Sequence, residues 1–426
     1  MKRIYLCLAH MSETGEEQKY VQEAFDTNWV VPLGPNVNGF EKDLEQFIMH
    51  NAQCTIVPEI ENKRVVALSS GTSAVHLALI ACGVGLGDEV LVQSFTFCAS
   101  SHPVTYLGAT PVFIDSEPET WNMDPALLEE AVKDRIAKTG RKPKAIIPVA
   151  LYGMPYRIDK IMEIADRYGI PVIEDAAEGF GSRFNGQVLG TFGRYGVLSF
   201  NGNKMITTSG GGALITPDED SWREIMMYAT QYRESYPYYQ HEKIGYNYRM
   251  SNVCAGIGRG QMTVATDHIA HHRHVQALYE ELLRDVDGIN VHSQPQTGEY
   301  DSNYWLCTIT IDEDVRIKGQ EDAYKTMVTG AVGGAAGVIH AAKSATTDCQ
   351  PNDNVEALRV ALDKAGIEAR PVWKPMHKQP VYKDAPAYVN GVSEAIFKIG
   401  LCLPAGPYVS DEDVRYIVKT IKASIV

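Results

Sequence analysis

Positive charge is in short supply in this chain of 426 residues: 39 lysines and arginines stand against 53 aspartates and glutamates, a formal net charge of -14. A phosphate backbone needs a basic face, so nucleic acid is excluded as the expected partner, and any anion must be met by local cations or backbone amides. Long apolar runs are also missing. The N-terminal stretch from Met1 to His10 is too short for a secretory leader, and no segment approaches the roughly 20 residues of a membrane span. The 8 cysteines are scattered, with no CxxC pair and no ligand-like spacing. Cys82 and Cys98 lie in apolar contexts and read as small core residues, and the scattered pattern suits reducing surroundings, so a cytoplasmic protein without membrane contact is expected.

What is present is an ordinary globular composition, 45% apolar and 22% charged, long enough for two domains sharing a cleft. Helical patterns cover 13–27 and 38–50. From residue 64 short apolar runs alternate with helical ones: strands near 65–68, 89–93, 111–115, 145–151, 171–175, 195–200 and 213–216. Helices lie between them at 73–82, 97–107 and 158–168, and another opens at Asp124-Pro125 as N-cap and first turn. This alternation predicts an α/β fold, a mostly parallel sheet covered on both faces, with ligands gathering at the carboxyl ends of its strands. One long helix is expected over 251–286, then strands near 289–293 and 304–311 and a last helix over 411–425, a smaller α+β unit. The expected division is a large domain 1–255, including an N-terminal arm, and a small domain 256–426. Within the latter, 316–353 contains the low-complexity run Thr329-Gly-Ala-Val-Gly-Gly-Ala-Ala-Gly337 and reads as an insertion or flexible loop.

Three strand ends carry candidate chemistry. Ser199-Phe-Asn-Gly-Asn-Lys204 delivers a lysine from an apolar strand into a small polar turn. Partial desolvation lowers an amine's pKa, and a neutral amine condenses with an aldehyde; the alternative is a solvent-exposed lysine in a glycine-rich turn. Ser70-Gly71-Thr72-Ser73 sits at a helix mouth, where free N–H groups suit a phosphate or serve only as a cap. Asp175 ends an apolar strand, where a carboxylate can keep a ring nitrogen protonated or simply cap the next turn. Phe97 can stack on such a ring or pack in the core.

Taken together, four segments resemble the sugar aminotransferases of the DegT/DnrJ/EryC1/StrS family. They are Ser70-Gly-Thr-Ser-Ala74, Pro171-Val-Ile-Glu-Asp-Ala-Ala-Glu178, Ser199-Phe-Asn-Gly-Asn-Lys-Met-Ile-Thr-Thr208 and Gly245-Tyr-Asn-Tyr-Arg-Met-Ser251. The resemblance spans nearly the whole chain and implies the fold-type I, aspartate-aminotransferase-like architecture with pyridoxal 5'-phosphate as cofactor, alternating with pyridoxamine phosphate. It implies that Lys204 bonds the cofactor's aldehyde and shuttles the proton, and that Asp175 pairs with the pyridine nitrogen. Gly71, Thr72 and Ser199 would hold the phosphate, Phe97 would stack on the ring and Glu178 would contact it. Asn247 matches an asparagine that reaches the phosphate of a neighbouring subunit, so a homodimer with shared sites is implied.

The segments 244–252, 256–261 and Arg370-Pro-Val-Trp-Lys-Pro-Met-His377 resemble the branch that aminates C4 of UDP-linked 4-keto-6-deoxy sugars, with an amino acid, glutamate, as donor. Trp373, Lys374 and His377 would line the sugar-nucleotide side or form a surface loop with a packed tryptophan; Arg249 would be a substrate clamp or a helix-start ion pair. Alternatives are C3 amination of a dTDP- or GDP-linked keto sugar, and a non-catalytic regulatory relative. A sugar dehydratase of the family would carry histidine in place of Lys204. Two look-alikes are set aside. Gly256, Gly258 and Gly260 lack the dinucleotide-binding spacing and a preceding strand. His268, His271, His272 and His274 have no acidic or cysteine partner and read as a solvated helix face, so no metal is expected.

Overall fold

In the computed structural model, which describes residues 3–49, 58–325, 327–332, 335–340 and 349–426, the alternation beginning at residue 64 becomes one sheet. Its strands lie in the order Arg64–Leu68, Gly212–Thr216, Tyr195–Ser199, Ile173–Asp175, Ala145–Ile147, Glu89–Gln93, Thr110–Ile114 and the short Ala387–Tyr388. Single bridges from Ile146 to Val172 and from Val149 to Asp175 join its two halves. The pairings are parallel except for Gly212–Thr216, which runs antiparallel to both neighbours. Successive residues go to opposite faces, and both faces are buried. Val65, Ala67, Leu91, Val112 and Ile114 enter one apolar core; Val66, Leu68, Val90, Val92 and Phe113 enter the other.

The C-terminal part forms a second, antiparallel sheet in the order Ile289–Val291, Cys307–Ile311, Gly400–Leu403 and Arg370–Pro371. The helices Ala265–Leu283, Asp353–Lys364 and Asp411–Ser424 close a further core over it with Leu278, Leu358 and Ile417. The N-terminal segment joins this part through a single bridge from Ile4 to Ile367. Among the described residues no helix is long and apolar enough to cross a membrane.

Several expectations need correction. The long helix over 251–286 is two, Asn252–Met262 and Ala265–Leu283. Thr263 turns its hydroxyl back onto the Gly260 carbonyl at 2.6 Å and ends the first. The strand over 145–151 stops at Ile147, because Pro148 offers no ladder N–H and the Gln93 side chain takes the next one, that of Val149, at 3.1 Å. The helix over 97–107 divides into a 3-10 turn, Cys98–Ser100, and His102–Tyr106 with proline in its first turn. Within 316–353, the stretch read as an insertion or flexible loop, Met327–Val332 pairs with Ala335–His340 in an antiparallel ladder, and 326, 333–334 and 341–348 lie outside the described residues.

The histidines do not form a solvated face. His268 and His272 are buried; the ring nitrogens of His268, His271 and His272 meet the carbonyls of Met205, Val409 and Tyr304, and His274 does have an acidic partner, Asp411 at 2.7 Å. Their helix is covered by chain from both sides, which its sequence could not announce. Gly256, Gly258 and Gly260 are contact glycines: added Cβ atoms would lie 2.9 Å from Asn36, 2.8 Å from Phe40 and 2.5 Å from Glu17, so they let three helices approach closely.

Candidate active site

At the carboxyl edge of the large sheet, the ends of Ile173–Asp175 and Tyr195–Ser199 and the mouth of the helix Gly71–Ala81 converge on a cavity of about 360 Å³. Ser70 caps that helix in a reciprocal box with Ser73, which uses the Ser73 N–H; Gly71 and Thr72, whose first-turn N–H groups have no intrahelical partner, line the cavity. A Cβ at Gly71 would lie 3.1 Å from the Ser199 Cβ, so the missing side chain keeps the space between helix mouth and serine open. Free amides, a helix dipole and a hydroxyl make this end of the cavity fit an anion such as a phosphate.

Asp175 closes the other end. It is buried; its Oδ2 accepts from the Ser100 hydroxyl at 2.7 Å and its Oδ1 from the Ala177 N–H at 3.1 Å. Burial pushes its pKa up, and the Ser100 and Ala177 bonds and the Lys204 charge oppose that rise. A carboxylate so fixed at one end, with an anion cradle at the other, fits a phosphorylated ring that carries a basic nitrogen.

Lys204 lies between. Its turn is closed by its own N–H on the Asn201 carbonyl at 2.9 Å, and its side chain is 12% exposed. Its Nζ is 3.5 Å from Glu178 Oε1 and 4.1 Å from the centre of the Trp305 ring. Glu178 accepts from the Tyr152 N–H at 2.7 Å and from the Trp373 Nε1–H at 3.3 Å. Burial raises its pKa, while the neighbouring lysine and the Tyr152 amide pull it down. Phe97 stands at the open side, 48% exposed, 5.3 Å from the Trp373 ring.

The structure therefore brings Gly71, Thr72, Phe97, Asp175, Glu178, Ser199, Lys204 and Trp373 to one cavity. The remaining candidates stand elsewhere in the chain. Arg249 takes the ion-pair alternative: it meets Glu41 in a buried salt bridge and donates to the Ala67 carbonyl at 2.9 Å. Lys374 Nζ donates to the Cys349 carbonyl at 2.6 Å. His377 Nδ1 lies 2.6 Å from the Ser94 hydroxyl, and burial lowers its pKa. Asn247 is exposed, its backbone bridged to Thr230. Ser100, Tyr152 and Trp305 belong to the site but were not singled out from sequence. Trp305 ends a polar-aromatic run, Ser302-Asn-Tyr-Trp305, just ahead of an apolar strand, the one local signal that pointed to it.

The chain is 40% identical over 424 residues to EpsN of Bacillus subtilis (strain 168), whose name describes it provisionally as a pyridoxal phosphate-dependent aminotransferase; the alignment covers 99% of this chain and 95% of EpsN. It is 34% identical over 418 residues to the GDP-perosamine synthase of Escherichia coli O157:H7, with 98% of each chain covered. In three dimensions it matches the crystal structure of a DegT DnrJ EryC1 StrS aminotransferase from Brucella abortus with a TM-score of 0.79 at 26% identity, covering 96% of this chain and 95% of the other. The profile of the DegT/DnrJ/EryC1/StrS aminotransferase family matches residues 11–335 and 335–422, and the chain belongs to that family.

Proposed function

We propose that this aminotransferase uses pyridoxal phosphate to move an amino group from L-glutamate to the C4 ketone of a UDP-linked 4-keto-6-deoxy sugar. The observation that carries the reading is the Lys204 amine, nearly enclosed, opening onto the same cavity as Asp175 and the helix mouth at Gly71 and Thr72. Gly71, Thr72 and Ser199 would hold the phosphate, Asp175 the ring nitrogen, and Phe97 would stack on the ring. When bound, the cofactor supplies an aldehyde that bonds amines and a protonated ring that draws electrons from the neighbouring carbon. Lys204 would be the residue that bonds that aldehyde, its Nζ would be the base for the proton on the donor's α-carbon, and Glu178 would keep the amine within reach. Asp175, charged, keeps the ring nitrogen protonated. Asn247 is exposed and off the cavity of its own protomer, as a residue serving a second protomer's phosphate must be, which supports a homodimer with shared sites.

A GDP-linked keto sugar is the second reading, favoured by the 34% identity to a GDP-perosamine synthase across 98% of both chains. An absorbance spectrum of the purified protein tests both. A yellow band is expected, bleached by L-glutamate and restored by UDP-2-acetamido-4-keto-6-deoxy-glucose, with NMR of the product locating the amine at C4. Restoration only by a GDP-linked keto sugar establishes the second reading. A colourless protein that takes up no pyridoxal phosphate overturns the function.

A further inference from the structure

Two close neighbours of Lys204 among the described residues hold its amine by different physics. Glu178 Oε1, 3.5 Å away, attracts the ammonium and can also take its proton. The Trp305 ring, with its centre 4.1 Å from Nζ, is well inside the roughly 6 Å reach of a cation–π contact and attracts the cation without accepting a proton. Trp305 is only 1% exposed, so the contact is made out of water, where it is strongest. Its Nε1–H donates at 2.7 Å to the carbonyl of Asn203, the residue before the lysine. Its backbone N–H donates at 2.8 Å to Asn303 Oδ1, and the Asn303 amide donates at 2.9 Å to the carbonyls of both Glu178 and Phe180. One short run from the C-terminal part of the chain thus fixes both the turn that carries the lysine and the segment that carries its carboxylate. Cys7, which approaches the same indole, is pushed up to about 12 by burial and stays a neutral thiol.

We propose that Trp305 is a positioning residue: its ring face holds the Lys204 amine whenever that amine is not bonded to the cofactor, and its Nε1–H fixes the turn from which the lysine projects. The kinetic consequence rests on the proposed function; the contact itself does not.

Trp305→Phe keeps a ring face and loses the Nε1 donor, whereas Trp305→Leu loses both. In the full-length protein stripped of cofactor, reductive ¹³C-methylation keeps the lysine charge, and the Lys204 signal is identified by its loss in Lys204→Arg. The expected methyl resonance is shifted upfield by the ring current in the native protein and in Trp305→Phe, and rejoins the other lysines in Trp305→Leu. A Lys204 signal already among the other lysines in the native protein overturns the proposal. In the reconstituted protein the bleaching rate at saturating L-glutamate falls about tenfold in Trp305→Leu and recovers to within about threefold of native in Trp305→Phe. The half-saturating glutamate concentration changes less than about twofold in either, because the lost contact is with the lysine and not the donor. Equal losses in the two variants, or a loss confined to half-saturation, also overturn it. If the native protein takes up no pyridoxal phosphate, the proposed function falls and the resonance alone decides this inference.

Discussion

Glu174 and Asp175 are neighbours on one short strand, and the pleat sends their side chains to opposite sides of the sheet. Both are buried, and burial raises the pKa of both. Their surroundings differ. Asp175 looks into the cavity, where Ser100, Ala177 and Lys204 favour its charge. Glu174 looks into the protein, where its Oε2 accepts from the Phe192 and Gly193 N–H groups and Oε1 has no hydrogen-bond donor among the described residues. Its pKa is pushed up to about 7 by burial, against the backbone bonds and the charge of the buried Lys63. One carboxylate is equipped to stay charged where a ligand enters; the other clasps the loop that leads into the lysine strand. The lesson is that residue type at a strand end carries no role until the face it looks onto is known.

Exchanging each acid for its amide separates the two faces. Asp175→Asn keeps the shape and loses the charge proposed to hold the ring nitrogen protonated; the rate of amino transfer is expected to fall by about 10² to 10³ with the melting temperature unchanged or higher. Steady-state kinetics beside a thermal melt measures both, and a loss below about tenfold would place the role of Asp175 elsewhere.

Glu174→Gln is expected to leave activity alone and change how stability depends on pH. The folded-state pKa lies near 7 and the ordinary value is 4.5, so between them the unfolded chain releases a proton that the native protein retains. Stability therefore falls as pH rises from about 4.5 and the loss is complete above about 7; the glutamine cannot ionise and escapes it. The amide variant should gain on the native protein across that window by up to about 3 kcal/mol, read as diverging melting temperatures between pH 5 and pH 8. Parallel melting curves would mean that Glu174 is not held neutral.

The same distinction explains how much was readable from sequence. Gly71, Thr72, Asp175, Ser199 and Lys204 were legible because each lies at the end of a strand or the start of a helix, and a parallel sheet brings such ends to one edge. Of the candidates for the substrate side, Trp373 reaches the same cavity, but Arg249 and His377 do not. Arg249 meets Glu41 across 208 positions of chain, and His377 meets Ser94 across 283. Nothing local to either side chain says what arrives opposite it, and the same holds for the covered histidines and for Trp305. The break in the long helix was missed for the reverse reason: apolar periodicity continues through Thr263, and one side-chain hydrogen bond stops the helix.

The finest test stays on the cavity side. Ser100 donates to Asp175 at 2.7 Å and lies 2.9 Å from the Thr96 hydroxyl, so it is a fixed donor and not a rotating one. Its bond favours the charged carboxylate and opposes the rise caused by burial. Ser100→Ala removes about 1 kcal/mol of that support and lets the pKa of Asp175 rise further. A carboxyl group with a higher pKa is protonated over a wider acid range, so the acid limb of the pH–rate profile should move to higher pH. The expected loss is about fivefold on that limb, fading toward none at alkaline pH, where Asp175 is charged in both proteins. A loss of equal size at every pH would show instead that the serine matters for the shape of the site, and the contrast between an acid tuned for charge and one left to burial would have to be drawn from Lys204 and Ala177 alone.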